Sequence, residues 1–249
     1  WALSEDAGMA MVVPSVRLDA TLDRFDKHII MEDVELAPDS DLRVLTLQGP
    51  RAEALLETLG LSARAYACPR LGSLPGFDVW LTEAEVDAVL SRAAEQAPGL
   101  GGGVIDAAGW AHAHVVLGVP RAGVDFGPDS YPQEAGLKAR AVSFSKGCYT
   151  GQEVVYMLEK RGQAARRLVQ LSAPGAVPAA PASVISDAEG QRVGEVTSAT
   201  QSGSLGVALG YVKRVHAHVG AALRIDAQVW EVRCVLGESQ ADCPIIASL

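Results

Sequence analysis

The sequence predicts an α+β fold. A segment in which strands and helices alternate runs to about residue 165, and an all-β segment from residue 166 closes as a small barrel. Three observations carry this. Before residue 165, apolar residues recur with both strand and helix periods. From Arg166 onward, the short β-rich runs RRLVQL, ASVIS, RVGEVTSAT, GVALGYVKR, ALRID and QVWEVRCVL are spaced by Gly, Pro, Asp and Ser, as in small barrels. The 249 residues are 49% hydrophobic and 20% charged, a globular composition with enough chain for a real core.

Each element follows from local chemistry. After Pro14, the residues Leu18, Leu22, Phe25 and Ile29 recur at helical spacing and define an amphipathic helix. DLRVLTLQGP (41–50) alternates as a strand does and stops at Gly49–Pro50. RAEALLETLG then reads as a helix closed by Gly60. FDVWL (77–81) is a strand that leads into TEAEVDAVLSRAAEQ, where Thr82 and Glu85 have the spacing of a capping box. PGLGGG (98–103) is a flexible loop that lacks the GxxxxGK[ST] arrangement needed to cradle phosphates. GWAHAHVVLG is helical, and PRAGVDFGPDSYPQEAGL (120–137) is loop. APGAVPAAPA (173–182) is too rich in proline to be regular and is expected to form a long barrel loop. Two domains follow, 1–165 and 166–249.

Net charge is −9, so the surface as a whole repels phosphate backbones, which disfavours bulk binding to nucleic acid or anionic membranes. The cysteines Cys68, Cys148, Cys234 and Cys243 form no CxxC pair. They read as reduced thiols of a cytoplasmic protein rather than a disulfide frame or a zinc site. No apolar run has membrane-spanning length and no signal-peptide pattern opens the chain. Trp1 in place of a methionine leads to the expectation of a longer parent polypeptide.

Chemistry concentrates in two places. In SFSKGCYTGQEVV (143–155), Thr150 is an expected N-cap and Glu153 the matching N3 residue of a capping box. Cys148 precedes that helix. Free helix N–H groups and Lys146 favour its thiolate, whereas the ordinary fate of a free cysteine is burial as a small hydrophobe. Gly147 and Gly151 suit either a close approach to a ligand or an ordinary tight turn. In the loop 120–137, Asp125, Asp129 and Glu134 stand in Gly/Pro-rich text where side chains are free to face a ligand. A carboxylate can accept two parallel N–H bonds from a flat heterocycle, and Glu134 is the best candidate, with capping of the next segment as the alternative. The pairs His112/His114 and His216/His218 lack the neighbouring ligands of a metal site. RGQAARR (161–167) and YVKR (211–214) gather positive charge, as solvated edges or as a dock for an anionic tail. No GxSxG elbow or HExxH motif supports a hydrolase.

KGCYTGQE (146–153) resembles the K-G-C-[aromatic]-x-G-Q-E signature of the YgfZ-type folate-binding proteins, which are related to the glycine-cleavage T-protein, an aminomethyltransferase. PRAGVDF, YPQEAGL, RRLVQL, GEVTSA and ALGYVKR follow the same family order from Pro120 to Arg214. The resemblance implies a T-protein-like folate-binding α+β domain, N-terminally incomplete here, followed by the C-terminal barrel. It implies a tetrahydrofolate-type ligand and a role in assembling or repairing iron–sulfur clusters in client enzymes. Cys148 and Lys146 would then be the working pair. Glu134, Asp125, Arg121, Tyr149, Gly147, Gly151, Gln152, Glu153 and Arg166 would bind the folate. The alternative is a tetrahydrofolate-dependent aminomethyltransferase of the T-protein type. His114 stands where the family commonly has an arginine.

Overall fold

The computed structural model describes residues 2–5, 8–31, 33–160 and 162–238. The chain forms two units, Trp1–Leu42 and Arg43–Leu249. In the first, strands β1 (Ala2–Glu5) and β2 (Gly8–Met11) form an antiparallel pair, and helix α1 (Leu18–Asp26) follows.

In the second unit, β3 (Leu42–Gln48), β4 (Ala65–Ala67) and β5 (Gly76–Thr82) form a sheet in the order β3-β5-β4. Helices α2 (Ala52–Leu59) and α3 (Glu83–Gln96) bury Leu56, Leu59, Val89 and Ala93 against Leu47, Val79 and Leu81. Both helix ends follow the local chemistry. Gly60 ends α2 in the left-handed conformation at φ 68°, and the Thr82–Glu85 capping box opens α3. Helix α4 (Ala107–Val116) begins at Asp106, whose side chain accepts the Gly109 N–H. A four-residue helix, α5 (Lys138–Ala141), and a longer one, α6 (Gln152–Lys160), complete the helical part.

The barrel strands are β6 (Arg166–Pro174), β7 (Val184–Ser186), β8 (Arg192–Ser202), β9 (Leu205–Lys213), β10 (Ala222–Ile225) and β11 (Gln228–Val235). They close in the order β10-β11-β6-β9-β8-β7, with β10 meeting β7 and every pair antiparallel. Closure leaves no open edge. Val169, Leu171, Ile185, Leu223, Ile225 and Trp230 fill the interior.

Strand β6 does not alternate buried and exposed residues: Leu168 through Ala173 are all buried. Its inward residues join the barrel core, while Leu168 packs outside with Val115, Val116, Val207 and Leu209, beneath α4. The fully buried Gln170 serves this packing. Its side-chain amide donates to the Val115 and Val116 carbonyls at 2.7 and 2.9 Å, satisfying acceptors at the end of α4 that have no intrahelical partner.

Candidate functional site

The loop between α4 and α5 carries the first cluster, and the barrel holds it in place. Asp125 is 1% exposed. Its Oδ1 accepts the hydroxyls of Thr197 and Ser198, both at 2.6 Å, and its Oδ2 accepts the Arg121 backbone N–H at 2.9 Å. Consecutive strand residues normally point to opposite faces. Here the pairing of β8 with β9 shifts register between Val196 and Ser198, and this bulge lets both hydroxyls reach one oxygen. Asp125 is thus engaged on both oxygens as the anchor of its loop. The Arg121 Nε lies 4.0 Å from Oδ2 and is buried with no hydrogen-bond partner among the described residues.

Nine residues after Asp125, a turn positions Glu134. Its N–H donates to the Tyr131 carbonyl at 2.9 Å, the Leu137 N–H donates to Pro132, and the Glu134 carbonyl receives the Leu168 N–H of β6 at 2.8 Å. The side chain is buried, and every donor it meets converges on one oxygen. Arg166 donates from Nε and Nη2 to Oε2, each at 3.2 Å, and the Tyr131 N–H points to the same atom at 3.4 Å. Glu134 Oε1 accepts nothing from the described residues. The Arg166 guanidinium lies over the Tyr211 ring, 4.6 Å from its centroid. Burial pushes the Tyr211 phenol above its ordinary range. Ser130 lies close to its hydroxyl without hydrogen-bond geometry.

The cysteine motif sits beside this turn. Gln133, the neighbour of Glu134, donates to the Val155 carbonyl of α6 at 2.8 Å, and Lys138 pairs with Glu159 at 3.1 Å. Sequence reasoning passed over Gln133, whose only signal is its place beside the candidate carboxylate. The Lys146 ammonium lies over the Tyr149 ring, 4.7 Å from the centroid. Cys148 is exposed, so burial as a small hydrophobe is not its fate. Asp129 contributes its backbone: its carbonyl is 3.5 Å from Arg166 Nη2.

The expected Thr150–Glu153 capping box is replaced by a different arrangement. Gly151 takes φ 85°, so α6 begins at Gln152, and the Gln152 Oε1 receives the Tyr149 N–H at 3.3 Å. Glu153 stands in the first turn, exposed to solvent. Gly151 is required by its left-handed backbone. Gly147 has neither a positive φ nor a neighbour within 4 Å of the position a Cβ would take.

The two halves of the expected site are therefore neighbours with different environments: a buried carboxylate paired with an exposed arginine, and an exposed thiol. A cavity of about 800 Å³ lies elsewhere, between β3, α2, α3 and α4, lined by Leu45, Leu47, Leu90, Ile105 and Trp110 among others. None of the expected site residues lines it. Gly101, Gly102 and Gly103 of PGLGGG form part of its wall.

The histidines also have structural partners. His112 Nδ1 is 2.8 Å from the Thr200 hydroxyl, and His114 Nδ1 is 2.9 Å from the Val119 carbonyl. His114 is buried edge-on to Trp110, and burial pushes its pKa down. Burial therefore favours the neutral ring at His114. No group of metal-ligating side chains occurs among the described residues.

Cys68 and Cys234 are buried, and Cys243 lies outside the described residues. Burial, and then the Asp78 carboxylate beside it, push the Cys68 thiol up to about 12. Only the thiolate is nucleophilic. Iodoacetamide should therefore label Cys148 in the folded protein and spare Cys68 until denaturant is added; equal labelling of both would contradict this geometry. Because the folded pKa of Cys68 is raised above its ordinary 9.0, its contribution to stability is complete below pH 9 and is lost as pH rises toward 12. Melting curves above pH 9 should accordingly fall more steeply for the natural protein than for Cys68→Ala.

Comparison with known proteins agrees with this architecture. Residues 166–236 match the glycine cleavage T-protein C-terminal barrel domain. The chain is 29% identical over 185 residues to the tRNA-modifying protein YgfZ of Sodalis glossinidius, covering 70% of this chain and 55% of that protein. It is 32% identical over 187 residues to the YgfZ of Vibrio vulnificus, covering 72% and 55%. The chain thus spans about half the length of the curated relatives it matches. The crystal structure of the glycine cleavage system aminomethyltransferase T from Bartonella henselae superposes with a TM-score of 0.70 at 21% identity, over 90% of this chain and 67% of that one. This likeness concerns the fold. No helix among the described residues is long and apolar enough to cross a membrane. The chain has the fold of the glycine cleavage T-protein, is similar to YgfZ proteins over about 70% of its length, and its last six described strands carry the match to the T-protein C-terminal barrel domain.

Proposed function

We propose that the protein binds a tetrahydrofolate-type ligand and, in the cytoplasm, assists the assembly or repair of iron–sulfur clusters in client enzymes. The observation that carries the ligand reading is Glu134: a buried carboxylate held through Oε2 by Arg166, with no donor on Oε1 among the described residues. Such an oxygen suits the N–H edge of a flat pterin. Arg121, whose buried Nε has no hydrogen-bond partner among the described residues, suits an anionic group of the same ligand. Asp125 acts through the loop it anchors. Tyr149, Gly147, Gly151, Gln152 and Glu153 shape the motif loop, where Cys148 is the working thiol beside Lys146.

The test is calorimetric titration of the chain with tetrahydrofolate. The natural protein should bind, and Glu134→Gln should weaken binding by about 10- to 100-fold, the value of one charge-assisted hydrogen bond. Cys148→Ser should bind normally while failing to support cluster-dependent client enzymes. Absence of binding by the natural protein would overturn the folate reading. The T-protein barrel favours a second reading, a folate-dependent aminomethyltransferase. Robust methylene-tetrahydrofolate formation from an aminomethyl-lipoyl carrier would decide for it.

A further inference from the structure

We propose that the outer face of α6, with the loop leading into it, docks an acidic protein segment bearing an apolar ridge. The surface is unusual for this molecule in two independent ways. Helix α6 buries no residue fully, and it turns Val154, Tyr156 and Met157 outward at 46, 47 and 43% exposure. Its inward side, with Gln152, Val155, Leu158 and Glu159, meets the protein through the Gln133 and Lys138 contacts described above. Of the five exposed positions on the helix, three are large and apolar, and Phe144 in the preceding loop adds a fourth such residue at 42% exposure. Clustered exposed apolar side chains mark a contact surface, whereas isolated ones need no explanation.

The charge around this face identifies the partner. Residues 138–167 hold seven Lys or Arg against two Glu, in a chain of net charge −9. Lys138, Arg166 and Arg167 are paired with Glu159, Glu134 and Glu238. Among the described residues, Arg140, Lys146 and Lys160 have no carboxylate partner: they lie against the Pro69 carbonyl, the Tyr149 ring and the Tyr156 ring. Glu153 is the one carboxylate on this exposed face and the three cations outnumber it, so the face is complementary to an amphipathic segment whose ridge fits Val154, Tyr156 and Met157 and whose carboxylates meet the cations. RNA is the weaker fit. Three cations supply little counterion release against an acidic whole, and the exposed rings Tyr156 and Phe144 are outweighed by that net charge. A segment docked here would lie beside the exposed Cys148.

The inference does not depend on the folate reading, and its test contains no folate. Fluorescence anisotropy would compare three probes on the whole chain. One is a 16-residue peptide with leucine at helical spacing and glutamate between; the second is its lysine counterpart; the third is a 20-nucleotide poly-uridine. The acidic peptide should bind at least about tenfold more tightly than the basic one, and Met157→Asp or Lys160→Glu should each weaken it by about tenfold. Both positions are solvent-exposed, so the variants should fold, which thermal melting checks. Val215→Asp, at an apolar site 72% exposed and outside α6, should leave binding unchanged. Equal binding of both peptides, equal loss in Val215→Asp, or preference for poly-uridine would each overturn the proposal.

Discussion

Asp125→Ala should lower the melting temperature on the order of 10 °C, the effect of about 3–5 kcal/mol on a unit of this size. The carboxylate is 1% exposed and accepts hydrogen bonds from Thr197, Ser198 and the Arg121 N–H. Its removal strands these donors in the interior and leaves the Arg121 guanidinium, 4.0 Å away, without its nearest anion. The cost arises mainly from the groups left behind rather than from the bonds themselves. Thr197→Val removes one donor cleanly and should cost about 1 kcal/mol. Thermal unfolding followed by circular dichroism measures both. A loss below about 1 kcal/mol for Asp125→Ala would show that water reaches the cluster. Because Asp125 pins the loop that carries Glu134, folate affinity should fall in the same variant even where it remains folded.

Gly136→Ala should cost about 3 kcal/mol or more, for two reasons that add. Gly136 has φ 71°, where an L residue is strained by about 1–2 kcal/mol. A Cβ there would also stand 2.5 Å from the carbonyl carbon of Leu236. That neighbour is main chain, next to the end of β11, and no side-chain rotation relieves the contact. Gly237 faces back at Gly136 in the same way, so two backbones meet where neither tolerates a side chain. Gly151→Ala is the control. It shares the positive φ, at 85°, but has nothing within 4 Å, so it should cost only the conformational part, about 1–2 kcal/mol. Urea unfolding distinguishes the two, and equal losses would show that the close approach carries no energy. Gly136 lies two residues past Glu134, so its variant should lose tetrahydrofolate binding as well.

Much of the architecture was legible because it rests on interactions within a few residues. The Thr82–Glu85 box, the left-handed Gly60 and the short β-rich runs set off by turn residues are consequences of neighbours a few positions apart. The helix at 152–160 was legible as a helix, yet its start was displaced, because Gly151 turns the chain left-handed and hands the capping contact to Gln152. Glu134 and Cys148 were singled out in the sequence, but their environments were not. Whether a carboxylate or thiol is buried depends on what packs over it, and the sequence left Cys148 open between a reactive surface thiol and a core residue.

By itself, then, the sequence determined an α+β chain ending in a small barrel and the stretches in which polar chemistry collects. Tertiary structure alone decided which of those groups meet. Arg166 reaches Glu134 across 32 residues, Thr197 and Ser198 reach Asp125 across more than 70, and Gln170 closes α4 across 55. Each of these contacts depends on the closed barrel register, and the Asp125 pair depends also on one bulge in β8. A single extra residue in a strand changes which side chains share a face, and no local pattern encodes where that residue falls.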